Sequence, residues 1–161
     1  MKASRDMLVR IVLIAAIAVI TSVIFINSFA DIDSSHQSSG AVAQVIAPSA
    51  KYNVGNIELI IRKAAHVIEY AVLGITVAAF IINIKKAFGK SFFGASLFYT
   101  LAVAVADEHI QSYSDRTSST GDIMLDFCGA VIGFFVGWLV IKIYTYIKRR
   151  IKKSDKAGGQ S

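Results

Sequence analysis

The chain has 161 residues, enough for one domain, with 55% hydrophobic and only 17% charged residues. That balance, with a mean hydropathy of +0.58, excludes an ordinary soluble enzyme. A single cysteine, Cys128, excludes an intramolecular disulfide and a Cys-based zinc or iron-sulfur site, and although the pI near 9.5 invites a nucleic-acid reading, the placement of the positive charges points to membrane orientation.

The apolar residues fall into four blocks, which predicts an all-α integral membrane protein, a four-helix transmembrane bundle. Residues 1–7 form a short cytoplasmic N-terminus. Residues 8–29 form the first span, with Arg10 its one ionisable residue. Lys2, Arg5 and Arg10 ahead of Ser28-Phe29-Ala30 also resemble a signal peptide, but the apolar run exceeds a usual h-region and favours an uncleaved anchor. Residues 30–56 read as an outer loop with a Ser-rich start.

Residues 57–146 hold the next three spans. The second, 57–84, carries Arg62, Lys63, His66 and Glu69 in its first half. The third, 91–106, runs into Asp107-Glu108-His109-Ile110-Gln111, followed by a polar loop with Ser114, Asp115 and Arg116. The fourth starts near Asp122 and carries Asp126. Residues 147–161 form a basic cytoplasmic tail whose Gly-rich end is expected to be disordered.

Charge sets the expected topology. Of 17 Lys and Arg, 13 lie before or at the start of the first span, between the second and third, or from Lys142 onward. The positive-inside rule then puts both termini in the cytoplasm, N-in and C-in. Nine of the 11 acids lie outside or in the outer halves of the helices.

The chemically capable residues therefore gather at the outer ends. At 100° per residue, Arg62, His66, Glu69 and Leu73 share a stripe about 60° wide, flanked by Lys63 and Tyr70. Asp107 and Gln111 are four apart. Asp122 and Asp126 share a face with Gly129, Gly133 and Gly137, a small-residue seam open to close approach by a neighbouring helix. An ionised Glu69 deep in a span costs about 2.5–3.5 kcal/mol, so it is expected to be paired, protonated or at a polar cavity, with Arg62, Lys63 and Arg116 as partners. A purely structural network of these charges is the competing reading.

These strings have a recognisable order. Arg62-Lys63-Ala64-Ala65-His66 with Tyr70 and Leu73-Gly74, then Asp107-Glu108 with Gln111 and Arg116, then Asp122, Asp126, Gly129 and Gly133, resemble the VanZ-like membrane protein family across roughly residues 57–137. This chain has Ser114-Asp115 where family members often have Pro-Gly, and Asp126 where many have Asn. The resemblance implies a small bacterial plasma-membrane protein in the context of glycopeptide (teicoplanin) resistance, without a defined reaction.

Three chemistries are open to such residues. Arg62, Lys63 and Arg116 suit a phosphate or carboxylate, with Tyr70, Gln111, Asp122 and Asp126 completing a ligand pocket for an anionic envelope lipid or lipid-linked peptidoglycan precursor. His66, Glu69, Asp107 and Glu108 are the candidate acid-base residues. Divalent metal is a second reading on Glu69, Asp107, Glu108, Asp122 and Asp126 with His66 nearby, but no HExxH-type spacing assigns a ligand set, so no cofactor is assigned. His36 and His109 read as solvent or interfacial residues. Transport is disfavoured, because the inner halves of the first and third spans carry no polar stripe.

Overall fold

The computed structural model describes residues 2–29, 54–113 and 119–158. Four helices follow in chain order: α1 (Lys2–Phe29), α2 (Val54–Phe88), α3 (Phe93–Gln111) and α4 (Thr120–Gly158). Among the described residues there is no strand. Segments Ser4–Phe29, Leu59–Phe88 and Thr120–Lys152 are long and apolar enough to cross a membrane. α3 is shorter, at 19 residues, or about 28 Å at 1.5 Å per residue, and its last turns carry Asp107 and Glu108.

The helices outrun the apolar blocks that announced them. α1 begins at Lys2 rather than residue 8, and α2 extends past both ends of 57–84. α3 does not stop at Ala106 but continues through Gln111. The tail differs most: α4 is helical through Lys148-Arg149-Arg150 to Gly158, reaching into the Gly-rich end expected to be disordered. Lys, Arg, Ile and Ala all propagate a helix once it is nucleated, and water at a helix end satisfies charged side chains without unwinding the backbone. A hydropathy boundary marks where lipid contact ends, not where the helix ends.

Local chemistry closes the ends. At the α2 to α3 turn Gly89 has φ 70°, and its N–H donates to the Lys85 carbonyl at 2.9 Å, a left-handed cap that glycine adopts without a Cβ clash. At the start of α4 the Ser119 hydroxyl accepts from the Gly121 N–H at 3.2 Å, satisfying one free helix donor, while Asp122 in the first turn suits the positive end of the helix dipole.

α2 and α4 form the tightest pair. A Cβ on Gly129 would stand 2.8 Å from the Val67 carbonyl oxygen, one on Gly137 3.0 Å from Ile75 Cα, and one on Gly133 would run into the Ala71 carbonyl. Gly74 makes the reciprocal approach to Ala130. The seam read from Gly129, Gly133 and Gly137 is therefore real, and it is two-sided. α1 and α3 pack on this pair around a core of Ile24, Tyr70, Leu73, Val77, Ala78, Val103, Ala104, Ala130 and Phe134.

Outside this narrow core the surface is apolar. Val12, Ile26, Phe98, Ile132 and Val140 are exposed, as expected where hydrocarbon chains rather than water are the solvent. The bundle has a polar end, where α1 and α3 finish and α2 and α4 start, and a basic end. At the basic end Lys142 Nζ lies 3.9 Å from the centroid of the Trp138 ring, and Arg150 lies over Tyr146, pairings typical of the membrane interface.

Candidate functional site

Antiparallel order brings four helix ends to one place, and each contributes. α2 supplies His66, Glu69 and Tyr70, and α3 supplies Asp107 and Gln111. Asp126 comes from α4, and α1 adds Asn27 and Ser28. Asp107 is at the centre and fully buried. It accepts a short hydrogen bond from the Ser28 hydroxyl and a longer one, 3.3 Å, from the Gln111 amide one turn away. His66 Nδ1 is 3.9 Å from Asp107 Oδ2 and 3.9 Å from Glu69 Oε2, close enough for charge attraction and too far for a hydrogen bond. Glu69 Oε1 accepts from the Asn27 amide at 2.7 Å.

Tyr70 sits behind this group. Sequence placed it at the flank of the helix 2 stripe, yet it is among the fully buried side chains, close to Asp107 and Asp126. Asp126, 4% exposed, completes the cluster: His66, Asp107 and Asp126 each offer one nitrogen or oxygen atom within 4.8 Å of the others.

Several of these groups are unsatisfied. His66 Nδ1, Glu69 Oε2, Tyr70 Oη and Glu108 Oε2 are buried with no hydrogen-bond partner among the described residues. A buried polar atom without a partner costs about 1–3 kcal/mol. Three of the four surround Asp107, so the cost is concentrated at one point.

Two expected members stand apart. Glu108 follows Asp107, but its Oε1 accepts the Ser119 N–H at 2.5 Å, tying α3 to the start of α4. Lys63 is spent on an ion pair with Asp122, not on Glu69. Arg62 is half-buried on the first half of α2 and pairs with no acid among the described residues. Arg116 and its loop lie outside the described residues. Thus the expectation that cations would neutralise Glu69 fails for Lys63, and an amide takes that place.

Asn27 and Ser28 carry no motif that marks them as site residues in the sequence. Both were legible as polar residues closing an apolar run, and the antiparallel order that groups the other ends includes the end of helix 1. In the sequence Ser28 stands out only as part of the small-residue Ser28-Phe29-Ala30 pattern. His109 is exposed against Tyr113, as expected. His36 lies outside the described residues.

Below the polar end the character changes. An apolar groove of about 570 Å³ lies between α1, α2 and α3, lined by Ile17, Val77, Phe80, Ile84, Ala95 and Tyr99 among others. Hydroxyls in this half are satisfied locally: Thr100 donates to the Leu97 carbonyl at 3.0 Å and Ser96 to that of Phe93 at 2.6 Å. Arg10, near the basic end, donates to Asn83 at 3.0 Å. No carboxylate lines this groove.

Residues 13–142 match the VanZ/LLP1 family, which spans all four helices and every described member of the cluster. The chain belongs to the VanZ/LLP1 family. Membership and three apolar helices together make it a VanZ-like multi-pass membrane protein. No curated protein matches the chain, and no solved structure does. The match begins within α1, ahead of the motif-bearing segment that carried the resemblance in sequence.

Proposed function

We propose that this VanZ-like protein holds the head group of an anionic envelope lipid or lipid-linked peptidoglycan precursor at its polar end, on the outer face of the bacterial plasma membrane. The observation that carries the reading is the set of orphaned polar atoms around Asp107. A network kept only to join helices would close its own hydrogen bonds, because each open one destabilises the fold it is meant to hold. A site that meets a polar ligand keeps them open. Arg62 at the rim, with Arg116 from the adjoining loop, supplies the guanidinium groups that grip a phosphate in two-point fashion. The groove of Ile17, Val77 and Phe80 beneath gives an acyl or polyprenyl chain an apolar path.

If a bond is broken there, His66 is the proton carrier. Its Nδ1 lies 3.9 Å from a carboxylate oxygen of each of Glu69 and Asp107, near enough for either to take up a proton relay with it once a ligand closes the site. Four spans, with both termini in the cytoplasm, put this end outside. In that position the protein meets the precursors that glycopeptides bind, which gives teicoplanin resistance a physical setting.

A second reading has its own support. Lys63 with Asp122, Asn27 with Glu69 and Ser28 with Asp107 each join two helices, as a non-catalytic partner of envelope machinery would need. Native mass spectrometry from nanodiscs of host lipid separates the two. The ligand reading expects a retained anionic lipid or polyprenyl-phosphate adduct, lost in Arg62→Ala and Arg116→Ala at unchanged protein yield. Equal yield with no adduct in any of the three proteins sinks it.

A further inference from the structure

We infer that His66, Asp107 and Asp126 form a binding site for one first-row divalent cation of the Mn2+ or Zn2+ type. Their donor atoms come from three different helices and lie within 4.8 Å of one another. Bonds of about 2.0–2.2 Å in tetrahedral array place ligand atoms roughly 3.3–3.6 Å apart, so small side-chain rotations close the set. The backbone need not move.

The second observation is independent of that spacing. Tyr70 is wholly buried beside Asp107 and Asp126, and its hydroxyl makes no hydrogen bond of ordinary geometry among the described residues. His66 Nδ1 is buried and equally without one. A cation accounts for both. It takes the imidazole lone pair directly, and a water or carboxylate oxygen held on it accepts the Tyr70 proton. Two carboxylates this close, 0% and 4% exposed, repel one another unless a shared proton or a bound cation neutralises one of them. Lys63 is engaged with Asp122 and does not supply the cation.

The donor set also selects the metal. One imidazole nitrogen and two carboxylate oxygens fit Mn2+ or Zn2+ better than Ca2+, which takes six or more oxygens, or Cu(I), which prefers sulfur. Gln111 on Asp107 Oδ2 and Ser28 on Oδ1 hold the central carboxylate in orientation, as outer-shell groups do in metal sites. Three protein donors leave at least one coordination position for water or a phosphate oxygen. The site stands on its own geometry, and under the head-group reading it would polarise the phosphate.

The test uses full-length protein in nanodiscs, stripped with EDTA and titrated with MnCl2. Electron paramagnetic resonance is expected to show one Mn2+ per chain, with echo modulation from one imidazole nitrogen that disappears in His66→Gln. Dissociation constants should rise by at least about tenfold in His66→Gln and Asp126→Asn, and ZnCl2 should displace the Mn2+. His109→Ala, an exposed histidine outside the cluster, should bind as wild type does. Two variants on different helices, checked for helicity and monodispersity, keep a folding failure from passing as loss of a ligand. Absence of stoichiometric Mn2+ and Zn2+ from the wild type overturns the site, and so does binding that survives in both variants. Binding that emerges only in Arg116→Ala also overturns it, because the loop guanidinium would then be the cation of the cluster. A lipid adduct on protein that binds neither Mn2+ nor Zn2+ sinks the metal alone and leaves the head-group reading standing.

Discussion

At the scale of single residues, burial and hydrogen bonding separate groups that sequence placed side by side. Asp107 and Glu108 are neighbours, yet one anchors the cluster and the other ties down the start of α4. Tyr70 combines a packing role with a polar one, and two substitutions divide them. Tyr70→Phe keeps the ring and removes an unpartnered hydroxyl, so stability in metal-free detergent should stay within about 1 kcal/mol. Tyr70→Ala removes a fully buried ring and should cost about 3–5 kcal/mol. Thermal unfolding followed by circular dichroism reads both. Asp126→Asn removes one of two neighbouring buried carboxylates and should raise the metal-free midpoint, with a gain of about 1–3 kcal/mol, while ligand retention is lost. A fall in that midpoint would mean that Asp126 is already neutralised in the free protein.

At the scale of helices, the α2 and α4 seam is the least tolerant feature. Gly133→Val drives a side chain into the Ala71 carbonyl and should destabilise the bundle by about 1–3 kcal/mol, seen as loss of the monodisperse peak in detergent. Gly94, in the first turns of α3, has nothing within 4 Å of an added Cβ. Gly94→Ala should therefore leave that peak intact and raise stability by up to about 1 kcal/mol through helix propensity. The Lys63 and Asp122 pair joins the same two helices at the rim, with side chains 44% and 28% exposed. A double-mutant cycle should give it no more than about 1 kcal/mol, since solvent screens such a pair.

At the scale of the whole molecule, the orientation of the chain decides which side the cluster faces, and the number of crossings decides where the termini lie. Three helices satisfy length and hydropathy for crossing, and α3 is the undecided one because its acids are counted against it. Those acids face Ser28 and the start of α4 rather than lipid, which removes the main energetic objection to α3 as a span. Four crossings put both termini on one side; three put them on opposite sides. Labelling in a Cys128→Ser background separates these: with four crossings Ser118→Cys should react with an impermeant maleimide from outside and Ser91→Cys should not, whereas an α3 that does not cross makes the two react alike. The reverse pattern would put the cluster in the cytoplasm and end the outer-leaflet reading.

The sequence by itself determined the helical class, the family resemblance, the glycine seam and most of the cluster. Each rests on a local property: apolar run length, a repeat of four residues along a helix, or motif order. Lys63, His66, Glu69, Asp107 and Asp126 were therefore legible one helix at a time. Which of them meet was not, because partner choice depends on helix rotation and on packing between segments far apart in the chain. Only the tertiary structure gave Glu69 to Asn27 and Lys63 to Asp122, brought Ser28 onto Asp107, and buried Tyr70 between helices. It also extended α4 through its basic tail, since hydropathy reports the solvent around a helix and backbone hydrogen bonding decides how far the helix runs.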